Sequence, residues 1–255
     1  MIRLRITSLL FILLINTPSC FSQIVAKHVH EREQLWFGYF NQTRISNKFG
    51  IWFDIHYRQT DNFTDRPFQL VVRPGVMYFL RDNLRVQAGY AFLDHFPAKG
   101  KDTARPEHRL WQEIWWGQKY SGFTTHQRLR LEERFNRKIE DDVLEEGYNF
   151  NYRLRYNMSF FIPLKGKEII PRSVFIAVSD EVFVNFGGKI VYNTFDQNRF
   201  FAGVGYQFTA RLNSQLGYMN VYQQEASGNN YLRTHAIRLF IYHTIDLRTK
   251  TKNSI

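Results

Sequence analysis

Tyr148-Asn149-Phe150-Asn151-Tyr152-Arg153-Leu154-Arg155-Tyr156-Asn157-Met158-Ser159-Phe160 alternates without a break, apolar or aromatic at every even number and polar at every odd one. A period of two marks a β-strand whose two faces meet different surroundings. Strands of soluble domains usually run about 5–6 residues, whereas this alternation holds for 13. That length lets a tilted strand cross a hydrocarbon layer of roughly 30 Å. One face suits lipid and the other a wet or charged interior.

The same pattern recurs on both sides of this stretch. Residues 34–45 and 49–59 form a hairpin about Ser46-Asn47-Lys48, and residues 68–80 and 84–92 form another about Arg81-Asp82-Asn83. A third joins 107–120 to 123–136 through Ser121-Gly122. Beyond the quoted strand come 171–184, 200–210, 214–223 and 231–245, separated by glycine-, asparagine- and lysine-bearing connections. An acidic loop, 140–146, is expected before the quoted strand. Eleven strands are clear and a weak alternation over 24–29 suggests a twelfth. Single-chain bacterial barrels carry even numbers of strands, so the expectation is an all-β, transmembrane, antiparallel up-and-down β-barrel of twelve strands, or ten as the fallback. Short and long connections alternate, which suits short periplasmic turns and longer outer loops.

The start of the chain reads as an address. Arg3 and Arg5 precede an apolar run over residues 6–15, followed by Pro18 and the small residues Ser19, Cys20 and Ser22. This is the build of a cleaved secretory signal peptide, placing the leader at 1–22 and the barrel at 23–255. A lipidated Cys20 is disfavoured, because Thr17 stands where an aliphatic residue is wanted. No later apolar run approaches the roughly 18 residues of a helical span. Aromatic residues make up 17% of the chain while mean hydropathy is negative. Barrels combine the two because only alternate residues face lipid. The net charge is +11, and still +9 without Arg3 and Arg5. The one cysteine lies in the leader, so the barrel has no disulfide to read.

Continuing the alternation assigns an inward face to Asp54, His56, Arg58, Arg73, Arg85, Arg109, Glu113, His126, Arg128, Arg130, Glu132, Arg134, Arg153, Arg155 and Glu181. Arginine outnumbers carboxylate there. One reading is a salt-bridged, hydrated interior that fixes the barrel's shape in a structural or accessory envelope protein. The alternative is a narrow conduit favouring small anions, since guanidinium groups gather and chelate them. Trp52, Trp111 and Trp115 share that face and are bulky enough to block a bore. A third reading, an outer-membrane hydrolase, rests only on Asp54 and His56, with His126 as a neighbour, and no Gly-x-Ser-x-Gly elbow accompanies them. A fourth is docking to another envelope protein through the loops. The partners expected are therefore outer-membrane lipid, and small anions or an envelope protein. Nucleic acid is discounted because the cations fall on an enclosed face. No cofactor motif is present. Neither His28, His30, Glu31 and Glu33 nor the acidic loop has the spacing of a metal site.

Pro106-Glu107-His108-Arg109-Leu110-Trp111-Gln112, Arg128-Leu129-Arg130-Leu131-Glu132-Glu133-Arg134-Phe135 and Asp196-Gln197-Asn198-Arg199 together give the chain a likeness. It resembles the family called domain of unknown function 2490. The resemblance implies a secreted Gram-negative outer-membrane barrel; it implies no activity and no functional residues.

Overall fold

The computed structural model describes residues 27–248. The leader assigned above and Cys20 lie outside them. The described chain is eleven strands and no helix: β1 (His28–Arg44), β2 (Phe49–Thr60), β3 (Arg66–Arg81), β4 (Leu84–His95), β5 (Arg105–Tyr120), β6 (Phe123–Glu140), β7 (Val143–Pro163), β8 (Ser173–Phe186), β9 (Phe195–Thr209), β10 (Leu212–Gln224) and β11 (Asn230–Asp246). Each strand pairs with the next, and β11 returns to β1 to close the sheet.

The strand number corrects the expectation of twelve or ten. Of the weak alternation over 24–29, His28 and Val29 belong to β1, and 24–26 lie outside the described residues. The polar run from His28 to Glu33 does not interrupt β1, because it is paired throughout with Asn230 to His235 of β11. An odd number has a geometric consequence. Every neighbouring pair is antiparallel except the closing pair, β1 and β11, which run side by side in the same direction over seventeen residue pairs. The chain therefore enters at one rim and leaves at the other.

Connections 45–48, 82–83, 121–122, 164–172 and 210–211 lie at the rim where β11 ends. Connections 61–65, 96–104, 141–142, 187–194 and 225–229 lie at the opposite rim. Two depart from the short-and-long alternation. The acidic segment expected as a loop is instead the end of a long hairpin, with Glu140 paired to Val143 and Ile139 to Leu144. Asp141 and Asp142 turn the chain at φ values of 46° and 66°, the left-handed geometry of a two-residue hairpin turn. At the other rim, 164–172 is long and folds inward, carrying Ile169 against an apolar cluster inside the barrel.

The wall distributes its side chains as the period-two reading requires. Ile51, Ile55, Val76, Leu110, Leu129, Leu154, Tyr156, Val204, Leu216 and Ile237 stand exposed on the outside. Tyr90 and Tyr218 on that surface tie their hydroxyls to the Nδ1 atoms of His108 and His235 at 2.5 and 2.6 Å. Among the described residues, twenty-three polar or charged ones are buried against seventeen apolar ones, the reverse of a soluble core. The apolar share collects on two patches: Trp36, Phe175, Phe201, Met219 and Phe240 on one side, and Val71, Leu93 and Trp111 on the other. Glycines make room for the largest rings. Gly75 and Gly89 face each other across β3 and β4, and a Cβ on either would lie 2.5–2.8 Å from Trp111 Cζ2. The indole therefore lies flat on bare backbone.

Candidate functional site

The inner faces of β5 to β9 bring opposite charges into register. Glu113 pairs across strands with Arg130, and Glu132 with Arg153. Glu132 is the hub: it accepts from Arg153 Nη2 and Nε at 2.5 and 2.9 Å and from Arg155 Nη1 at 2.5 Å. Arg109 and Arg130 stand 3.5 and 3.9 Å away. Glu107 receives Arg109 at 2.6 and 2.9 Å, Arg134 at 2.7 Å and His95 at 3.0 Å. Glu113 takes Arg130 Nε at 2.6 Å and a hydrogen bond from Gln87 Nε2, with Arg128 at 3.4 Å. Glu181 takes Arg128 at 2.5 Å and Arg155 at 2.8 and 3.0 Å, and Asp196 takes Arg153 at 2.9 Å. Charged pairs this enclosed hold together only when almost every lone pair is used. Here each carboxylate has at least one close guanidinium.

The barrel encloses a cavity of about 970 Å³ whose lining reaches both rims, from Arg32 and Phe68 to Tyr120 and Phe123. Arginines crowd its wall: Arg58, Arg73, Arg85, Arg109, Arg128, Arg130, Arg134, Arg153, Arg155, Arg199 and Arg238 all reach it, beside the carboxylates of Asp54, Glu113 and Glu181. Glu107, Glu132 and Asp196 are buried behind those arginines and do not line it. Many of the arginines lie on aromatic rings. Arg85 is 3.8 Å from Trp115, Arg130 4.8 Å from Trp111, and Arg155 4.4 Å from Phe183, stacked as guanidinium groups favour.

Asp54 and His56 sit side by side on β2, with Nε2 2.7 Å from Oδ1. Trp52 Nε1 donates to the other carboxylate oxygen at 2.5 Å, and Arg73 Nε is 3.4 Å away. The His56 ring meets Phe40 and Phe240 edge to face. Among the described residues, no hydroxyl or thiol hydrogen-bonds to it. His126 is not part of this group; it lies on β6 between Trp115 and Phe161. Among the described residues, no three His, Cys, Asp or Glu side chains converge as metal ligands.

Interior charges not assigned from the alternation include Glu107, Asp196, Arg199 and Arg238. Glu107 shares parity with Arg109 and Glu113, so the signal was there. Arg199 had it too, two residues from Gln197 and Phe201 on the inner face of β9. Arg238 was hidden because its neighbours on the inner face of β11, Ala236 and Phe240, are apolar. Asp196 has the wrong parity, and a register shift beside Val184 explains how both it and Gln197 are buried.

The family profile described as protein of unknown function (DUF2490) matches residues 33–232. An uncharacterized protein of Methylorubrum extorquens is 27% identical over 180 residues, covering 68% of this chain and 72% of its own length. No solved structure matches.

Proposed function

The chain belongs to the family of unknown function DUF2490, and from that premise, which carries no activity, we propose that it is an integral outer-membrane barrel. In this reading the leader at 1–22 is cleaved, the rim bearing 82–83, 121–122 and 210–211 faces the periplasm, and the ion-paired interior fixes the wall of a structural or accessory envelope protein. The observation that carries it is the inversion of the sheet. Aliphatic and aromatic side chains stand exposed around the outside while arginines and carboxylates are enclosed. An exposed apolar surface wrapping a whole molecule is costly in water and favourable in lipid. A photoreactive probe dissolved in the hydrocarbon phase should label Leu154 and Tyr156 and spare Arg153 and Arg155. Purified mature chain that stays dispersed without detergent would overturn the reading.

A second reading, a narrow passage favouring anions, is supported by the wall of the cavity. The deepest carboxylates are screened by arginines, so a solute inside meets mostly positive charge. Eleven strands fall between barrels of about eight, filled by side chains, and those of about sixteen, which hold a water channel. Reconstituted in a planar bilayer under a salt gradient, the chain should give currents whose reversal potential follows the anion. Silent membranes containing folded protein leave the structural role alone.

A further inference from the structure

Most of the interior arginines are spoken for; a few are not. Arg109, Arg128, Arg130, Arg134, Arg153 and Arg155 each hold a carboxylate. Arg58 holds none and makes no hydrogen bond through its Nε, which is closed off from the surface. Arg199 donates only to the uncharged Gln197, at 3.1 Å. Arg73 stands 3.4 Å from an Asp54 oxygen already engaged by His56, and its Nε forms no hydrogen bond either.

These three arginines come from β2, β3 and β9, yet they face the same cavity. Flat rings hold two of the forks in place. Trp36 is buried and anchored by its Nε1 to Gln34 at 2.6 Å. Its indole carries Arg58 at 3.8 Å and Arg199 at 5.2 Å, and Phe183 supports Arg199 at 4.5 Å. Stacking occupies the face of a guanidinium and leaves its in-plane N–H groups free to donate. Arg58 and Arg199, gathered on one indole with spare donors and with Arg73 facing the same cavity, call for a counter-charge.

We propose that the barrel binds a tetrahedral oxyanion, a phosphate or phosphoryl group, between Arg58, Arg73 and Arg199 beside Trp36. A planar carboxylate is satisfied by one fork, through two parallel hydrogen bonds. Forks arriving from three strands suit a group whose oxygens point in four directions. The assignment rests on the reading that water and solutes reach the interior from a rim, and it names what that interior holds.

The test uses the full mature chain, folded in detergent and titrated calorimetrically at constant ionic strength. Inorganic phosphate should bind saturably at one site per barrel, while chloride in the same range should not. In Arg58→Gln and Arg199→Gln the affinity should fall by roughly tenfold or more, as expected for losing charged hydrogen bonds. Arg66→Gln removes an equal charge at the rim, where Arg66 pairs with Asp61, and should bind as the parent does. If Arg58→Gln does not fold, Arg58→Lys keeps the charge, loses the fork and should bind with reduced affinity. Glycerophosphate distinguishes a lipid headgroup from free phosphate: saturable binding of glycerophosphate alone assigns the site to a phosphoryl headgroup. Folded barrel that binds neither, or equal losses in Arg58→Gln and Arg66→Gln, overturns the proposal. Because folding and detergent dependence are scored separately, such a failure leaves the membrane reading standing.

Discussion

Glu132 is 2% exposed and shares its two oxygens among Arg153, Arg155 and the nearby Arg109. Removing one charge from such a knot leaves several guanidinium groups without compensation, which typically costs about 3–5 kcal/mol. Glu132→Gln should therefore lower the barrel's unfolding free energy by that order in denaturant titrations. Asp82 makes the contrast: it pairs with Arg44 at 2.7 Å but its side chain is 84% exposed. Asp82→Asn should cost no more than about 1 kcal/mol. Equal effects would mean that the interior is as wet as the rim. The inward parity of Glu132, Arg153 and Arg155 is legible in the sequence. Which arginine each carboxylate holds is mostly not, because apart from Glu107, which takes Arg109 two residues on, the main partners stand on other strands and depend on register. Asp196 fails even the parity rule, since a single register shift beside Val184 moves the pattern by one.

At the scale of elements, each of the eleven clear alternations became a strand, because period two survives wherever one face meets water or charge and the other does not. The two surprises concern ends. The acidic run was legible as charge but not as hairpin, since turn geometry there comes from Asp141 and Asp142 rather than from glycine. That tip is tied down: Asp142 accepts backbone hydrogen bonds from Asp102 at 2.9 Å and Thr103 at 3.2 Å. The amide of Asp102 and then that of Thr103 hold the Asp142 carboxyl below its ordinary value of 3.8. A depressed carboxyl stabilises above its unfolded value and ceases to do so as pH falls through the folded one. Protection of the Asp102 and Thr103 amides from hydrogen exchange should persist from neutral pH down to that region and vanish below it. Asp142→Ala should abolish it at every pH. The second surprise, the parallel seam, follows from chain direction at closure, which no local pattern encodes. Leu35 and Ile237 are directly opposed across it. In a Cys20→Ser background, Leu35→Cys with Ile237→Cys should cross-link under mild oxidant in the folded barrel. Leu35→Cys with Leu247→Cys should not. No bond in the first pair would refute the eleven-strand closure.

For the whole molecule, a closed ladder of main-chain hydrogen bonds surrounds an enclosed ionic lattice braced by rings, in place of a greasy core. Trp111 lying on Gly75 and Gly89, with Arg130 across it, shows how the two are joined. High ionic strength should weaken the pairs of Glu107, Glu132 and Asp196, which do not line the cavity, much less than it weakens surface pairs. Odd closure also has a topographic outcome. Lys27 and Leu247 flank β1 and β11 at opposite mouths, so a sensor fused beside one and its complement fused beside the other should stay apart. For a barrel that spans an envelope membrane as proposed, complementing halves of a split fluorophore, one beside Lys27 and one beside Leu247, should remain dark in intact cells and light up only after the envelope is breached.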